Sequence, residues 1–220
     1  MNAFASAHVF AAASRFSPAP DSGQDRKRER PAGLNPAAWR LESFAGRLSE
    51  LSGEPGGTPL TLVFGLVHEA QEQAEPVAWI TSRDSTFFPP DADRRGIDLA
   101  ALAVIRARDM LSAARAAEHL LRSAGFGLVV LDFGTDTRLP LHVQARLAGQ
   151  ARHHGAALVC LTEKAGDEPS LGSLVSLRGH CPIVQRQGRR FRCKTRILKD
   201  KHQGPDWFHE EVCRGPDGLH

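Results

Sequence analysis

The sequence predicts an α/β fold: a mainly parallel sheet with helices on both faces, extended by antiparallel strands toward the C-terminus. Three observations carry that expectation. Short, almost wholly apolar runs, Val77-Ala78-Trp79-Ile80-Thr81, Leu128-Val129-Val130-Leu131-Asp132 and Ala156 to Leu161, have the composition of strands buried on both faces. Segments with helical spacing of apolar residues separate them, as crossovers between parallel strands require. After Thr162 the pattern changes. Leu171 to Arg178, Ile183 to Gln187, Arg190 to Leu198 and Trp207 to Val212 alternate apolar with polar residues, and turn signals stand at Gly179, Gly188 and Gly204-Pro205.

Taken in order, residues 1–34 form a leader expected to be disordered. Its Ser17-Pro18-Ala19-Pro20 stretch has a linker composition, and Asp25 to Arg30 is a charged run ended by Pro31. An interaction tail built on Phe4, Val9, Phe10 and Phe16 is the other reading of the same residues. Residues 35–220 form the folded domain. Asn35 is a good N-cap and Pro36 suits a first helical turn, which predicts a helix from Pro36 to Gly46. A strand at Leu48 to Leu51 leads through a Gly-rich loop into a helix from Pro59 to Gln73, with Leu62, Leu66, Val67 and Ala70 on one face. The strand Val77 to Thr81, a short helix up to Arg95 and a strand Leu102 to Ile105 follow. Asp109 caps a helix from Met110 to Ser123. The strand Leu128 to Asp132, the helix Leu139 to His154 and the strand Ala156 to Leu161 complete the alternating half.

With 220 residues, a net charge of +3 and 24% charged residues, the composition is that of a soluble domain with its own core, and whole-chain charge does not mark a nucleic-acid binder. No run reaches the roughly 18 apolar residues of a membrane helix. The Met1 to Ala13 stretch lacks the basic flank of a secretory signal, so a cytoplasmic protein without membrane contact is expected. The four cysteines show no CxxC pairing and read as reduced thiols. Zinc held by Cys181, Cys193, His209 and Cys213 would need ligand spacing unlike the known patterns, so no metal or cofactor is expected.

The loop after the first strand is where phosphate would be held. It reads Gly53-Glu54-Pro55-Gly56-Gly57-Thr58-Pro59-Leu60-Thr61. Counted from Gly53, a phosphate-binding loop of the form GxxxxGK[ST] would place its second glycine at Thr58 and its lysine at Pro59. Proline brings neither the cation nor an N–H, and Leu60 replaces the hydroxyl that would hold magnesium. Asp132 closes an apolar strand as a magnesium-holding carboxylate would; a helix or turn cap is the plainer reading of that pattern. No nucleophile-elbow sequence accompanies the scattered Ser, His and Asp residues, and no catalytic residue is expected.

The stretch Arg47 to Glu54 with Pro59-Leu60-Thr61-Leu62, and the later run Arg196 to Pro205 followed by Trp207 to Val212 and Gly215 to Leu219, resemble the core of RecA recombinases. Where those enzymes carry a catalytic glutamate after the second strand, Thr81-Ser82-Arg83-Asp84 offers Arg83, which cannot orient an attacking water. Phe87 to Leu99 and Val104 to Asp109 are similar to the ImuA family, RecA-like accessory proteins of bacterial mutagenesis cassettes. The resemblance covers about residues 40 to 219. It implies a RecA-like core that does not hydrolyse nucleotide and a role in damage-induced translesion synthesis. The implied partners are RecA and an ImuB-type homologue of Y-family polymerases. A SulA-like inhibitor of cell division, and a RecA-family nucleotide-binding ATPase, are the alternatives.

RecA proteins hold DNA on two loops. The corresponding segments here, Phe133 to Leu139 and Glu163 to Leu171, are short, and the second carries three acids against one lysine. Neither suits stacking or phosphate neutralisation. A cationic run remains: Arg186, Arg189, Arg190, Arg192, Lys194, Arg196, Lys199 and Lys201. Period-two alternation places Arg190, Arg192, Lys194 and Arg196 on one face of a strand. Such a ladder protects a sheet from edge-to-edge aggregation, meets DNA phosphates, or meets an acidic protein surface.

Overall fold

A computed structural model describes residues 39–55, 57–81, 87–135, 138–182, 186–187, 190–205 and 207–214. The chain alternates strand and helix through β1 (Leu48–Gly53), α1 (Pro59–Glu72), β2 (Val77–Thr81), α2 (Pro89–Arg94), β3 (Leu102–Arg106), α3 (Met110–Arg122), β4 (Leu128–Asp132), α4 (Leu141–His154) and β5 (Ala157–Glu163). Four strands follow: β6 (Leu177–His180), β7 (Arg186–Gln187), β8 (Arg190–Asp200) and β9 (Phe208–Arg214). All belong to one nine-stranded sheet of order β3-β2-β4-β5-β1-β6-β8-β7, with β9 also on β8. Strands β1 to β6 run parallel; β8 is antiparallel to β6, β7 and β9. A strand has two edges, so β7 extends the edge of β8 that β6 occupies and β9 takes the other.

Local chemistry explains the helix ends. Pro59 opens α1 where a missing N–H costs nothing. The Ser112 N–H donates to Asp109 Oδ1 at 2.7 Å and caps α3. Gly155, at φ +69°, ends α4 in the left-handed conformation. Apolar residues then sort to two sides. Leu62, Val63, Leu66 and Val67 of α1 pack on Leu51, Trp79, Val130 and Val159. Ala113, Ala117 and Leu121 of α3, with Val143, Leu147 and Ala151 of α4, pack on Leu48, Ile80, Val129, Leu131 and Leu158. Both faces of the parallel strands are therefore covered, which is why β2 and β4 are buried at every position.

Three expectations need correction. The helix predicted from Pro36 to Gly46 begins outside the described residues, and its described part is one 3-10 turn, Leu41–Phe44, ended at Gly46 with φ +68°. Leu171 to Arg178 is not a strand; only its last two residues join β6. Leu171 and Val175 alternate because they plug the α3–α4 side of the core as an irregular cover. Strand β6 is parallel to β1, so the antiparallel extension starts one strand later than the patterning suggests.

Candidate functional site

β1 lies inside the sheet between β5 and β6, and α1 leaves its carboxyl end, where a phosphate-holding loop belongs. The described part of that turn is closed on itself. The Gly57 N–H donates to Glu54 O at 2.7 Å, and the Thr58 N–H points at Cys181 O at 3.4 Å. Pro59 has no N–H to offer. The Cys181 carbonyl, just past β6, sits so close that a Cβ on Gly53 would stand 2.7 Å from it and one on Gly57 2.8 Å. These glycines let two backbones touch, and the Gly57 and Thr58 amides face protein carbonyls. Gly56 lies outside the described residues, as do Arg83 and Asp84. Asp132 ends β4 in register with Thr81 and Leu161, buried and partnered.

The neighbouring segment Glu163 to Leu171 is tied down by a buried charge cluster that sequence reading missed. Glu50, mid-way along β1, is wholly buried. Lys164 Nζ stands 2.5 Å from its Oε1 and Arg178 Nε 3.8 Å from its Oε2. Thr162 Oγ1 donates to Oε1 at 3.0 Å; Ser170 Oγ and the Leu171 N–H donate to Oε2 at 2.8 Å each. The cations use their other protons on the loop backbone: Lys164 Nζ donates to Pro169 O at 2.7 Å and Arg178 Nη1 to Glu168 O at 2.6 Å. A loop fastened through five of these contacts is a fixed cover over β1 and β6, the opposite of a loop that closes on a ligand.

The cationic run divides in two. Arg190, Arg192, Lys194 and Arg196 are exposed on one face of β8, while Cys193, Thr195 and Ile197 are buried on the other. Between Arg178 and Gly179 the register with β6 slips by one residue, a bulge at Leu198 that turns Lys199 and Lys201 outward and Asp200 inward. Both lysines donate to Ser173 O at 3.2 Å. Burial and the nearby Lys201 ammonium lower the pKa of Lys199. Arg189 lies outside the described residues, and Arg186 falls in β7. The face is also less basic than the strand alone suggests. Strand β9 lays Glu210 against it, 2.7 Å from Arg192 Nη1, with the exposed Phe208 and Val212 on either side. Lys194 Nζ sits 4.7 Å over the Phe208 ring.

A second convergence lies on the buried face of the same strands, where Cys193 and Cys213, two of the four residues weighed as zinc ligands in the sequence, meet Glu211 instead of Cys181 and His209. Glu211 enters only through the strand register. Compared with known proteins, the sequence matches no family model and has no significantly similar curated relative. Among the described residues, no helix is long and apolar enough to cross a membrane.

Proposed function

We propose that this chain is a RecA-like accessory protein that does not hydrolyse nucleotide and acts by binding partners in damage-induced translesion synthesis, as the resemblance to the ImuA family implies. The observation that supports it best is the closed turn between β1 and α1. It combines Pro59 in the lysine position with amides of Gly57 and Thr58 directed at Glu54 O and Cys181 O. An anion seeking the Gly57 or Thr58 amide would have to displace the Glu54 carbonyl or the Cys181 carbonyl just past β6. A fixed rather than mobile segment at Glu163 to Leu171 is in keeping with this reading.

The partners are those the resemblance implies, an ImuB-type homologue of Y-family polymerases and RecA. Weak, sequence-independent contact with DNA through the outer face of β8 belongs to the same proposal. The tagged chain is expected to co-purify the polymerase homologue from damaged cells. Capture of the tubulin-like division protein in its place would favour a SulA-like inhibitor. For the DNA contact, replacing Arg190, Arg192 and Lys194 with glutamine is expected to flatten the slope of log affinity against log salt by about 2 to 3 units, since each phosphate neutralised contributes about 0.7 to 0.9. An unchanged slope would remove this face from the contact.

A further inference from the structure

The buried side of the β8–β9 pair holds a cluster that the proposed function does not use. Cys193 and Glu211 are directly opposite in the antiparallel register, and Cys213 lies two residues further along β9 on the same face. Their side chains converge: the two sulfurs are 3.1 Å apart and Cys213 Sγ is 2.9 Å from Glu211 Oε1. One ligand atom from each of the three lies within 4.8 Å of the others. Both thiols are buried, at 0% and 1% exposure, within the apolar cluster under α1, yet the Glu211 carboxylate and the Arg95 guanidinium reach Cys213.

We propose that Cys193, Cys213 and Glu211 bind a thiophilic divalent cation of the zinc type. Two sulfurs and one carboxylate oxygen are the donor set such an ion prefers, and a cation about 2.3 Å from each sulfur spans the pair with little movement. Charge supports the assignment. Two thiolates and a carboxylate bring three negative charges, the ion two positive ones and Arg95 a third, so the loaded site is neutral, as a buried site requires. Arg95 is already in place, with Nη2 3.0 Å from Cys213 Sγ and 3.4 Å from Glu211 Oε1. His209 holds the other oxygen, with Nε2 3.3 Å from Glu211 Oε2, and its ring is stacked on Trp39 at 4.7 Å. Metal sites are finished by this kind of outer support, which fixes the orientation of the ligands.

Binding exchanges protons for the ion: each thiol gives up its S–H proton, two sulfur–metal bonds form, and two protons leave to solvent. Three side chains leave a fourth position for water, reached from the side where Glu211 is 29% exposed. The ligand set differs from the one that counting cysteines and histidines suggests. The Cys181 thiol receives the Thr195 hydroxyl at 3.3 Å, and His209 stands behind Glu211 rather than beside the sulfurs. Loaded, the site ties β8 and β9 to the end of α2 through Arg95.

The test uses the full chain, reduced, stripped with a chelator and titrated with Zn²⁺ and with Co²⁺. One equivalent of Zn²⁺ is expected to bind, and Co²⁺ to give a sulfur-to-metal charge-transfer band. Cys193→Ser and Cys213→Ser are expected to lose that band, whereas Cys160→Ser, buried on the opposite side of the sheet, keeps it. His209→Ala, which removes a support of Glu211 and its stacking on Trp39 but no ligand, is expected to weaken binding about tenfold or more with the band retained. The proposal fails if the reduced wild-type chain binds neither ion, or if Cys193→Ser and Cys213→Ser bind both undiminished. It also fails if the chain isolated without reductant carries a Cys193–Cys213 disulfide and takes up no metal after reduction.

Discussion

Glu50→Ala is expected to cost about 3–5 kcal/mol of stability, because it strands the buried cations Lys164 and Arg178 without their counter-charge. A domain is stable by about 5–15 kcal/mol in all, so the variant is expected to be largely unfolded or poorly soluble at 37 °C. The loss has two parts. One is the ion pair itself. The other is the cover over β1 and β6, since Thr162, Ser170 and the Leu171 N–H all spend their donors on this carboxylate. Replacing Glu50, Lys164 and Arg178 together by Met is expected to recover much of the stability lost by the single change, because no buried charge is left unpaired. Thermal denaturation of the single and triple variants checks both statements. A single variant that melts like the wild type would mean that the cluster is open to water.

The second large effect is expected at Asp200, which belongs to another buried ion pair. Its Oδ1 lies 2.6 Å from Arg47 Nη2, and the two side chains are 1% and 4% exposed. Burial opposes ionisation of this carboxyl, but the His202 N–H and the Arg47 guanidinium outweigh it and hold its pKa below the ordinary 3.8. A carboxyl whose folded pKa is depressed contributes stability that is fully present above its unfolded value. The contribution is lost as pH falls through the lower folded value. Asp200→Asn is therefore expected to destabilise by about 3 kcal/mol at neutral pH, an amount set by the stranded Arg47. The gap to wild type should stay constant above about pH 5 and narrow below about pH 4. Urea unfolding of both proteins from pH 3 to 7 measures it. A gap that widens in acid would contradict the assignment.

Legibility in the sequence followed the range of the interactions involved. The parallel half could be read because a strand buried on both faces is apolar throughout and a crossover helix repeats every three or four residues; Val77 to Thr81 and Leu128 to Asp132 carry that signal by themselves. The missing cation and missing N–H of the turn could be read from Pro59, whose chemistry is local, but its closure on the Cys181 carbonyl could not. Glu50 could not. It stands in Leu48-Ser49-Glu50-Leu51, where a polar residue reads as a wet face, and its partners Lys164 and Arg178 lie 114 and 128 residues away (164 − 50 and 178 − 50). The alternation in Leu171 to Ser176 misled for a related reason, since a cover pressed on a core shows the same period as an edge strand. On β8 the inward–outward division was legible, but Glu210, which tempers the cationic face, enters only through the pairing of β8 with β9. The same pairing, invisible in spacing, assembles Cys193, Glu211 and Cys213.

The most direct measurement is a calorimetric titration of the full chain with ATP and Mg²⁺, followed by an assay for phosphate release. With the Gly57 and Thr58 amides turned onto Glu54 O and Cys181 O, and Pro59 where a lysine would reach the phosphates, the titration is expected to give no saturable heat up to millimolar ATP, and the assay no turnover above the buffer blank. Saturable micromolar binding, or phosphate released at a rate that scales with protein, would contradict the account at its root.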